Sequence, residues 1–441
     1  MSDNLPQNSR HKPLERLRVL PGAALRGTVQ VPGDKSISHR AVLFGGLLAR
    51  GESRVRGWLP AGDTLASLRA VQALGVAVER QGAGDLIIQS SELRQPEGPV
   101  DLVNAGTGIR LLAGIMAGQN FPVVLDGSPQ LRRRPMRRII APLRQMGADI
   151  SGEDDRAPLT IRPAMLHGIT YTLPVASAQV KSALLLAGLF ATGETVITQP
   201  GPARDHTEVM LQAMGAQICT EGDTIYLKPG ASLGTLDLTV PGDFSSAAFL
   251  MAAAAITPGS EVTIHHVNLN PTRTGLLDVL RQMGAEIEVT AVGDEAGEPV
   301  GDLRVRHGAL RGVTIGGEIV VRMIDEFPVL MVAALLAEGE TLVTDARELR
   351  VKETDRIAVM SAELRKLGAQ ITETDDGFRI TGPQQLTGSV VDSHDDHRVA
   401  MSLAVAGLVA DGETVITDSA CAGDSFPGFA DTLVALGGRV G

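Results

Sequence analysis

Aromatic side chains make up only 3% of this chain, and cysteine occurs twice, at Cys219 and Cys421. With so few rings, the core has to be packed from Ala, Leu, Val and Ile. Two cysteines cannot build a disulfide framework and match no metal-ligand spacing, so the expectation is two buried free thiols in a reducing cytoplasm. Long apolar runs are missing as well. LLLAGLFA and LMAAAAI fall well short of the ~18 residues of a membrane helix and read as buried helix ends. The first residues, MSDNLPQNSRHKPLER, are polar and lack the apolar stretch of a secretion signal, which predicts a loose tail over 1–17. Positive charge is in deficit too: a formal net charge of -11 disfavours nucleic acid or an anionic membrane as partner. Against that background, any local cluster of arginine is informative.

Glycine, by contrast, is plentiful at 50 residues, and it recurs in a pattern. A helical run ending in Leu or Met, then Gly, then a short β-branched strand appears as VQALGVAV, LRQMGADI, LQAMGAQI, LRQMGAEI, LRKLGAQI and LVALGGRV. The glycines are Gly75, Gly147, Gly215, Gly284, Gly368 and Gly437, at intervals of about 70 residues with one longer step before Gly368. Gly just past the last helical turn predicts a left-handed cap. Most copies also carry an Ala/Leu-rich helix, a Gly-centred turn and a strand, as in LLLAGLFATGETVITQP and SLAVAGLVADGETVITDS. Each unit therefore reads as strands alternating with two helices, one of them apolar all round and fully buried.

A chain of 441 residues exceeds one ordinary core and suits two domains. Three repeats fall in each half. The tetrapeptide Val-Pro-Gly-Asp occurs at 31–34 and again at 240–243, three repeat lengths apart. Both sites read as places where the chain passes from one globule to the other. The expected domains are 33–241, and a discontinuous one made of 18–32 plus 242–441.

Charged and hydroxyl residues gather where the buried helices should begin. GDKSISHR places Lys35, Ser36 and Arg40 at a helix opening, with Arg40 one turn beyond Ser36. Free amides, a hydroxyl and two cations make an anion site, although an ordinary capped helix with solvated cations has the same residues. NAGTGIR offers Gly106 and Gly108 for close backbone approach and Thr107 as a donor. In LRRRPMRR, most of Arg132, Arg133, Arg134, Arg137 and Arg138 must be a solvated face. Arg134, held by Pro135 at the start of a helix, is best placed to project rigidly. VASAQVKSA presents Ser177, Gln179 and Lys181, with plain capping by Ser177 as the alternative. Arg204 adds a cation that Asp205 can neutralise.

In the second half, Asp325 and Glu326 precede an apolar helix, where a carboxylate serves either as an N-cap or for proton transfer. Lys352, Glu353 and Arg356 follow in LRVKETDRI; in most proteins Glu353 and Arg356 would be a surface pair. HDDHRVAMSLA brings His397 and Arg398 to another helix start, and its H-x-x-H spacing is not specific for a metal. Helix dipoles would point their positive ends toward one cleft, suited to a small ligand with several negative charges.

GDKSISHR, NAGTGIR, RRRPM, SAQVKSA, RDHTE, DEFP, KETDRI and DHRVAMS, in this order, resemble the 5-enolpyruvylshikimate-3-phosphate synthase family from about residue 18 to the C-terminus. The resemblance implies an α/β fold: a two-domain inside-out α/β barrel, each domain three βαβαββ repeats around buried helices. It implies transfer of the enolpyruvyl group of phosphoenolpyruvate to the 5-hydroxyl of shikimate 3-phosphate, with phosphate released. It implies no metal and no organic cofactor; charge and cysteine usage, for their part, lead to the expectation of a cytoplasmic monomer with no nucleic-acid or membrane partner. By similarity, Lys35, Ser36, Arg40, Ser177, Ala178 (through its backbone), Gln179, Arg204, Asp325 and Lys352 would hold shikimate 3-phosphate. Lys35, Gly106, Arg134, Gln179, Arg356 and Arg398 would hold phosphoenolpyruvate. Asp325 would be the base, and Glu353 and Lys35 are both candidates for the acid.

One departure is visible. Many members carry a Lys before the Ser/Thr-Phe-Pro stretch near the C-terminus, where this chain has Asp424. The sister enzyme acting on UDP-N-acetylglucosamine resembles the chain in fold, but typically has a reactive Cys in the loop matching RRRPM, which holds none here. A non-catalytic anion-binding repeat scaffold is the remaining alternative; it has no use for Asp325 and Glu353 among so many cations.

Overall fold

The structure is a computed structural model that describes residues 15–441. Most of the tail expected over 1–17 lies outside the described residues, and its last two positions, Arg16 and Leu17, already belong to the strand Arg16–Leu20. The predicted alternation of elements is seen in full in 100–162. There Val100–Asp101, the helix Gly106–Met116, Val123–Asp126, the helix Arg137–Gln145, Asp149–Gly152 and Leu159–Arg162 follow one another, with a short helix Pro129–Arg133 and a single 3-10 turn Glu153–Asp155 interposed. Val100–Asp101 lies parallel to Val123–Asp126, which pairs antiparallel with Leu159–Arg162, which in turn pairs antiparallel with Asp149–Gly152. Among the described residues six four-stranded sheets form. The six glycines of the repeated phrase all take the left-handed conformation expected of them, with φ between 91° and 99°. A side chain with a Cβ is strained there, which is why the same residue recurs.

The chain divides into two compact units. One is Gly33–Pro241 with Gly293–Val300; the other is 15–32 with Gly242–Val292 and Gly301–Gly441. The short excursion 293–300 comes from the turn between the strands Glu286–Glu295 and Glu298–Arg306, and no sequence signal anticipated it. Around the two Val-Pro-Gly-Asp segments, each first strand stays with the unit the chain is about to leave. Arg26–Gln30 pairs parallel with Glu261–Asn268, and Asp237–Thr239 pairs parallel with Glu52–Arg56.

Each repeat has one helix sunk in the core. In the 33–241 unit these are Lys35–Leu47, Gly106–Met116 and Ala178–Gly188; in the other they are Phe244–Ile256, Phe327–Leu336 and His397–Gly407. All 13 residues of Phe244–Ile256 are buried. Helices that lack a polar face have to be surrounded, and small side chains let them touch along their backbones. Contact is closest at Gly114, where a Cβ would lie 2.2 Å from the Ala183 carbonyl oxygen of the neighbouring buried helix. No helix among the described residues is long and apolar enough to cross a membrane.

The methyl of Gly114→Ala can be accommodated only by pushing those two helices apart, so overpacking should cost about 1–3 kcal/mol. Calorimetry should register a lowered thermal midpoint. Exposed Gly98 has nothing near its Cβ position, and Gly98→Ala should stay within about 0.5 kcal/mol of the parent. Equal midpoints for the two variants would contradict the close helix contact.

Candidate functional site

In the 33–241 unit, Asp34 caps the first buried helix by accepting from the Ile37 amide at 2.9 Å, which fixes where Lys35 and Ser36 leave the backbone. Lys35 Nζ reaches Asp63 Oδ2 at 3.3 Å, so its ammonium is tethered but still part-exposed. Arg40 is buried. Its guanidinium donates to the Ser36 carbonyl at 2.9 Å, to Thr207 Oγ1 at 2.8 Å and to Ser182 Oγ at 3.0 Å. Burial lowers its pKa to about 10, helped by nearby Arg204 and opposed by Glu208, Asp34 and Glu298. It remains a cation at neutral pH.

The next two buried helices open without a side-chain cap: Ala105 and Ser177 both sit at the N-cap and neither side chain bonds an amide. The Gly106 amide donates to the Asn104 carbonyl at 2.8 Å, and no side-chain cap covers the other first-turn amides at these two starts. Ser177 is therefore not the plain cap that was its alternative reading. A Cβ on Gly106 would stand 2.5 Å from Arg134 Nη1 and 3.1 Å from Arg110 Nη1, so two guanidiniums crowd the start of this helix. Arg110 was missed as a site residue. Its Nη1 donates to Gln179 Oε1 at 2.7 Å and to the Gly106 carbonyl at 3.0 Å, while Gln179 Nε2 donates to Thr107 Oγ1 at 2.9 Å. This ties the Gly106 turn to Ala178 and Gln179. The signal was available: Arg110 stands one helical turn after Gly106 on the same face.

The arginine run sorts as expected, with one correction. Arg132, Arg133, Arg137 and Arg138 are exposed, Arg132 pairing with Asp126, and Arg134 alone is part-buried. Arg134 ends the short helix Pro129–Arg133 rather than starting one. Its ψ of 135° is the extended setting that a following proline imposes. Lys181, grouped with Ser177 and Gln179 by sequence, belongs instead to the core. It is fully buried 2.6 Å from Glu208 and donates to Gln199 and the Ala203 carbonyl. Arg204 is part-buried just ahead of the helix His206–Ala213.

In the 242–441 unit the centre is Arg356, which is 1% exposed and no surface residue. Three carboxylates surround it: Asp325 at 3.1 Å, Glu353 at 2.7 Å and Asp396 at 2.9 Å. Burial works against its charge, but these acids outweigh it and hold its pKa above the ordinary arginine value. Arg398 Nη2 lies 3.5 Å from Asp325 Oδ2, so Asp325 sits between two guanidiniums. Asp325 does not cap the helix behind it; Glu326 holds that place, and its side chain makes no capping bond either. Lys352 is pushed down from the usual lysine range by burial and by Arg356, against the pull of Asp325, Glu353 and Glu348. Three cations thus face three carboxylates.

The His-Asp-Asp-His stretch separates into different tasks. His394 lies 2.9 Å from Glu363 Oε1, Asp396 serves Arg356 and caps its own helix at the Arg398 amide, and His397 is buried in the first turn. Among the described residues no group of three or more His, Cys, Asp or Glu could hold a metal ion. Asp424 is part-buried at the end of the short helix Ser419–Asp424. Of the two thiols, Cys421 is buried as expected, its pKa raised to about 12 by burial, but Cys219 is exposed. It sits on Gln217–Glu221, where alternate side chains face out.

The sequence profile of the EPSP synthase (3-phosphoshikimate 1-carboxyvinyltransferase) family matches residues 19–433. A protein of Geobacter sp. (strain M21) named 3-phosphoshikimate 1-carboxyvinyltransferase is 51% identical over 425 residues, covering 95% of this chain and 99% of its own length. A namesake from Alkalilimnicola ehrlichii is 52% identical over 418 residues, covering 94% of each chain. The solved EPSP synthase from Acinetobacter baumannii superposes with a TM-score of 0.88 at 43% identity, over 97% of this chain and 99% of that one.

Next to Lys35 and Arg40, the buried His39 shares a hydrogen bond of 2.8 Å with Ser67 Oγ through Nδ1. Burial lowers its pKa from 6.5 to about 3, with Lys35 and Arg40 adding to the effect and Asp63 opposing it. Between those two values the unfolded chain takes up a proton that the folded chain refuses. His39 should therefore make stability fall as pH drops below about 6.5, by up to ~1.4 kcal/mol per pH unit. Urea unfolding at several pH values should show a flatter acid dependence for His39→Gln than for the parent. Parallel slopes would mean that His39 is not held neutral.

Proposed function

As the chain belongs to the EPSP synthase family, we infer that it transfers the enolpyruvyl group of phosphoenolpyruvate to the 5-hydroxyl of shikimate 3-phosphate and releases phosphate. The product is the enolpyruvyl ether on the route to chorismate and the aromatic amino acids. The observation that carries the residue assignments is the setting of Asp325, a part-buried carboxylate between Arg356 and Arg398.

Lys35, Ser36, Arg40, Ser177, Ala178, Gln179, Arg204, Asp325 and Lys352 would bind shikimate 3-phosphate. Phosphoenolpyruvate would be bound by Lys35, Gly106, Arg134, Gln179, Arg356 and Arg398. The phosphate of the first substrate suits the helix openings at Lys35 and Ala178, where a dipole, amides and fixed cations act together. Asp325 would take the proton of the 5-hydroxyl as its oxygen bonds to C2 of phosphoenolpyruvate. C3 gains a proton from Glu353 or Lys35 in the same addition. The resulting tetrahedral adduct then loses that C3 proton and inorganic phosphate, restoring the double bond. Arginines that are already ordered need no reorganisation as charge accumulates on the departing phosphate. Arg356 is the best prepared of these, since Asp396 holds it through two hydrogen bonds.

The two free thiols suit a reducing compartment, and a net charge of -11 favours a soluble monomer, so a monomeric cytoplasmic enzyme is the reading they support.

Phosphate release measured with both substrates tests the assignment. Asp325→Ala should lower kcat by about 100-fold or more through loss of a general base, and Arg134→Ala should lower kcat/KM by a similar factor. Release that survives in both variants would show the residues to be misassigned.

Gly106→Ala probes the second substrate more finely. Its methyl meets only the far ends of two flexible side chains, Arg134 at 2.5 Å and Arg110 at 3.1 Å, so folding should be spared. Displacing that guanidinium should raise the KM for phosphoenolpyruvate roughly tenfold, near 1.4 kcal/mol, and weaken inhibition by glyphosate. If both values stay as in the parent, Gly106 does not border this substrate.

A further inference from the structure

The carboxylate that follows Asp325 takes no part in the mechanism above. Glu326 is 1% exposed and closes the turn in front of the helix Phe327–Leu336, its amide donating to the Met323 carbonyl at 2.9 Å. Its Oε1 accepts from the hydroxyl of Ser245, in the first turn of the helix Phe244–Ile256. That hydroxyl accepts in turn from Arg273 Nη2 at 2.9 Å, and the same nitrogen donates to Asp243 Oδ1 at 3.0 Å. A guanidinium has only N–H donors, so the serine oxygen must accept from it, and the serine proton is left for Glu326. With Glu326 as a carboxylate the relay runs from Arg273 to Ser245 to Glu326.

All four of these side chains are buried. Ionic groups at that depth rarely stabilise a fold better than well-packed apolar side chains would, so stability is a weak reason for placing them there. Specific geometry is a better one. The relay joins three stretches far apart in sequence: the cap at 243–245, the segment around Arg273, and the turn carrying Asp325 and Glu326. One peptide unit links the two acids. While Glu326 points inward to Ser245, Asp325 is presented to Arg356 and Arg398.

We propose that the Arg273–Ser245–Glu326 relay is a positioning device that fixes the turn and so sets the Asp325 carboxylate for proton abstraction. The proposal rests on the reading of Asp325 as the base. A general base displaced by about 1 Å can lose on the order of 100-fold in rate, while substrates held by other residues bind as before.

Ser245→Ala and Glu326→Ala each cut the relay, and neither side chain is assigned to a substrate. Each should lower kcat by roughly 10- to 100-fold per folded molecule, with KM for both substrates within about twofold of the parent. Glu326→Gln keeps an acceptor for Ser245 and should recover most of the loss. Combining Ser245→Ala with Glu326→Ala should cost little more than the worse single change, because both sever one link. Should Glu326→Ala not fold, Ser245→Ala decides by itself, since it keeps every charge. An inactive Asp325→Ala beside a Ser245→Ala with parental kcat overturns the relay alone. So does a Ser245→Ala variant that raises KM with kcat unchanged. An active Asp325→Ala overturns the base assignment and the relay with it.

Discussion

Six helices are buried along most of their length, and that constraint shapes everything else. A buried helix still has four backbone amides at its N-terminus that no residue of its own can satisfy. Three of the six solve this with an aspartate: Asp34, Asp243 and Asp396 each accept from a first-turn amide. The helices beginning at Gly106, Ala178 and Phe327 have no side-chain cap. Two of those uncapped starts lie in the 33–241 unit, beside Arg134, Arg110 and Gln179. An architecture chosen for packing thus leaves positive helix ends at the places where anionic substrates would bind. The scarcity of aromatic residues belongs to the same constraint, because bulky rings would keep the Gly114 and Ala183 backbones from meeting.

The two units arrange their charges differently. In the 33–241 unit Arg40 is held largely by neutral partners, two hydroxyls and a carbonyl, which orient the guanidinium without cancelling it. In the other unit Lys352, Arg356 and Arg398 are matched by Asp325, Glu353 and Asp396. The first arrangement suits the capture of a charged substrate. The second suits proton transfer, where a base and an acid must coexist at close range.

What was legible in the sequence followed from local rules. The glycine caps and the buried helices each depend on a few neighbouring residues and take the expected chain path, whereas Arg134, expected to start a helix, ends one. Lys181 shows where local reading ends. It stands in the same short motif as Gln179, but it meets Glu208, which comes from a different helix. Arg356 looked like half of a surface pair until Asp396, forty positions on, completed its enclosure. Cys219 shows the opposite error: rarity suggested burial, yet the alternation of one strand turned it outward. Ser245, Arg273 and Glu326 had no chance of being linked by spacing. Their connection exists only because three stretches converge in the folded unit.

The duplicated Val-Pro-Gly-Asp segment shows how a local motif and a long-range need can coincide. At each copy the proline lacks an amide but keeps a carbonyl, and that carbonyl accepts from the aspartate amide of the other copy: Asp34 to Pro241 at 2.8 Å, and Asp243 to Pro32 at 2.9 Å. The first bond lies within the 33–241 unit and the second within the 242–441 unit. The aspartate side chains meanwhile cap the buried helices that follow, so one residue fixes both where the chain crosses and where the next helix begins. Lys35 is the residue after the first of these caps, and Ser245 stands two after the second. A candidate substrate cation in one unit and the middle of the Glu326 relay in the other therefore each take their position from a copy of the same four-residue device.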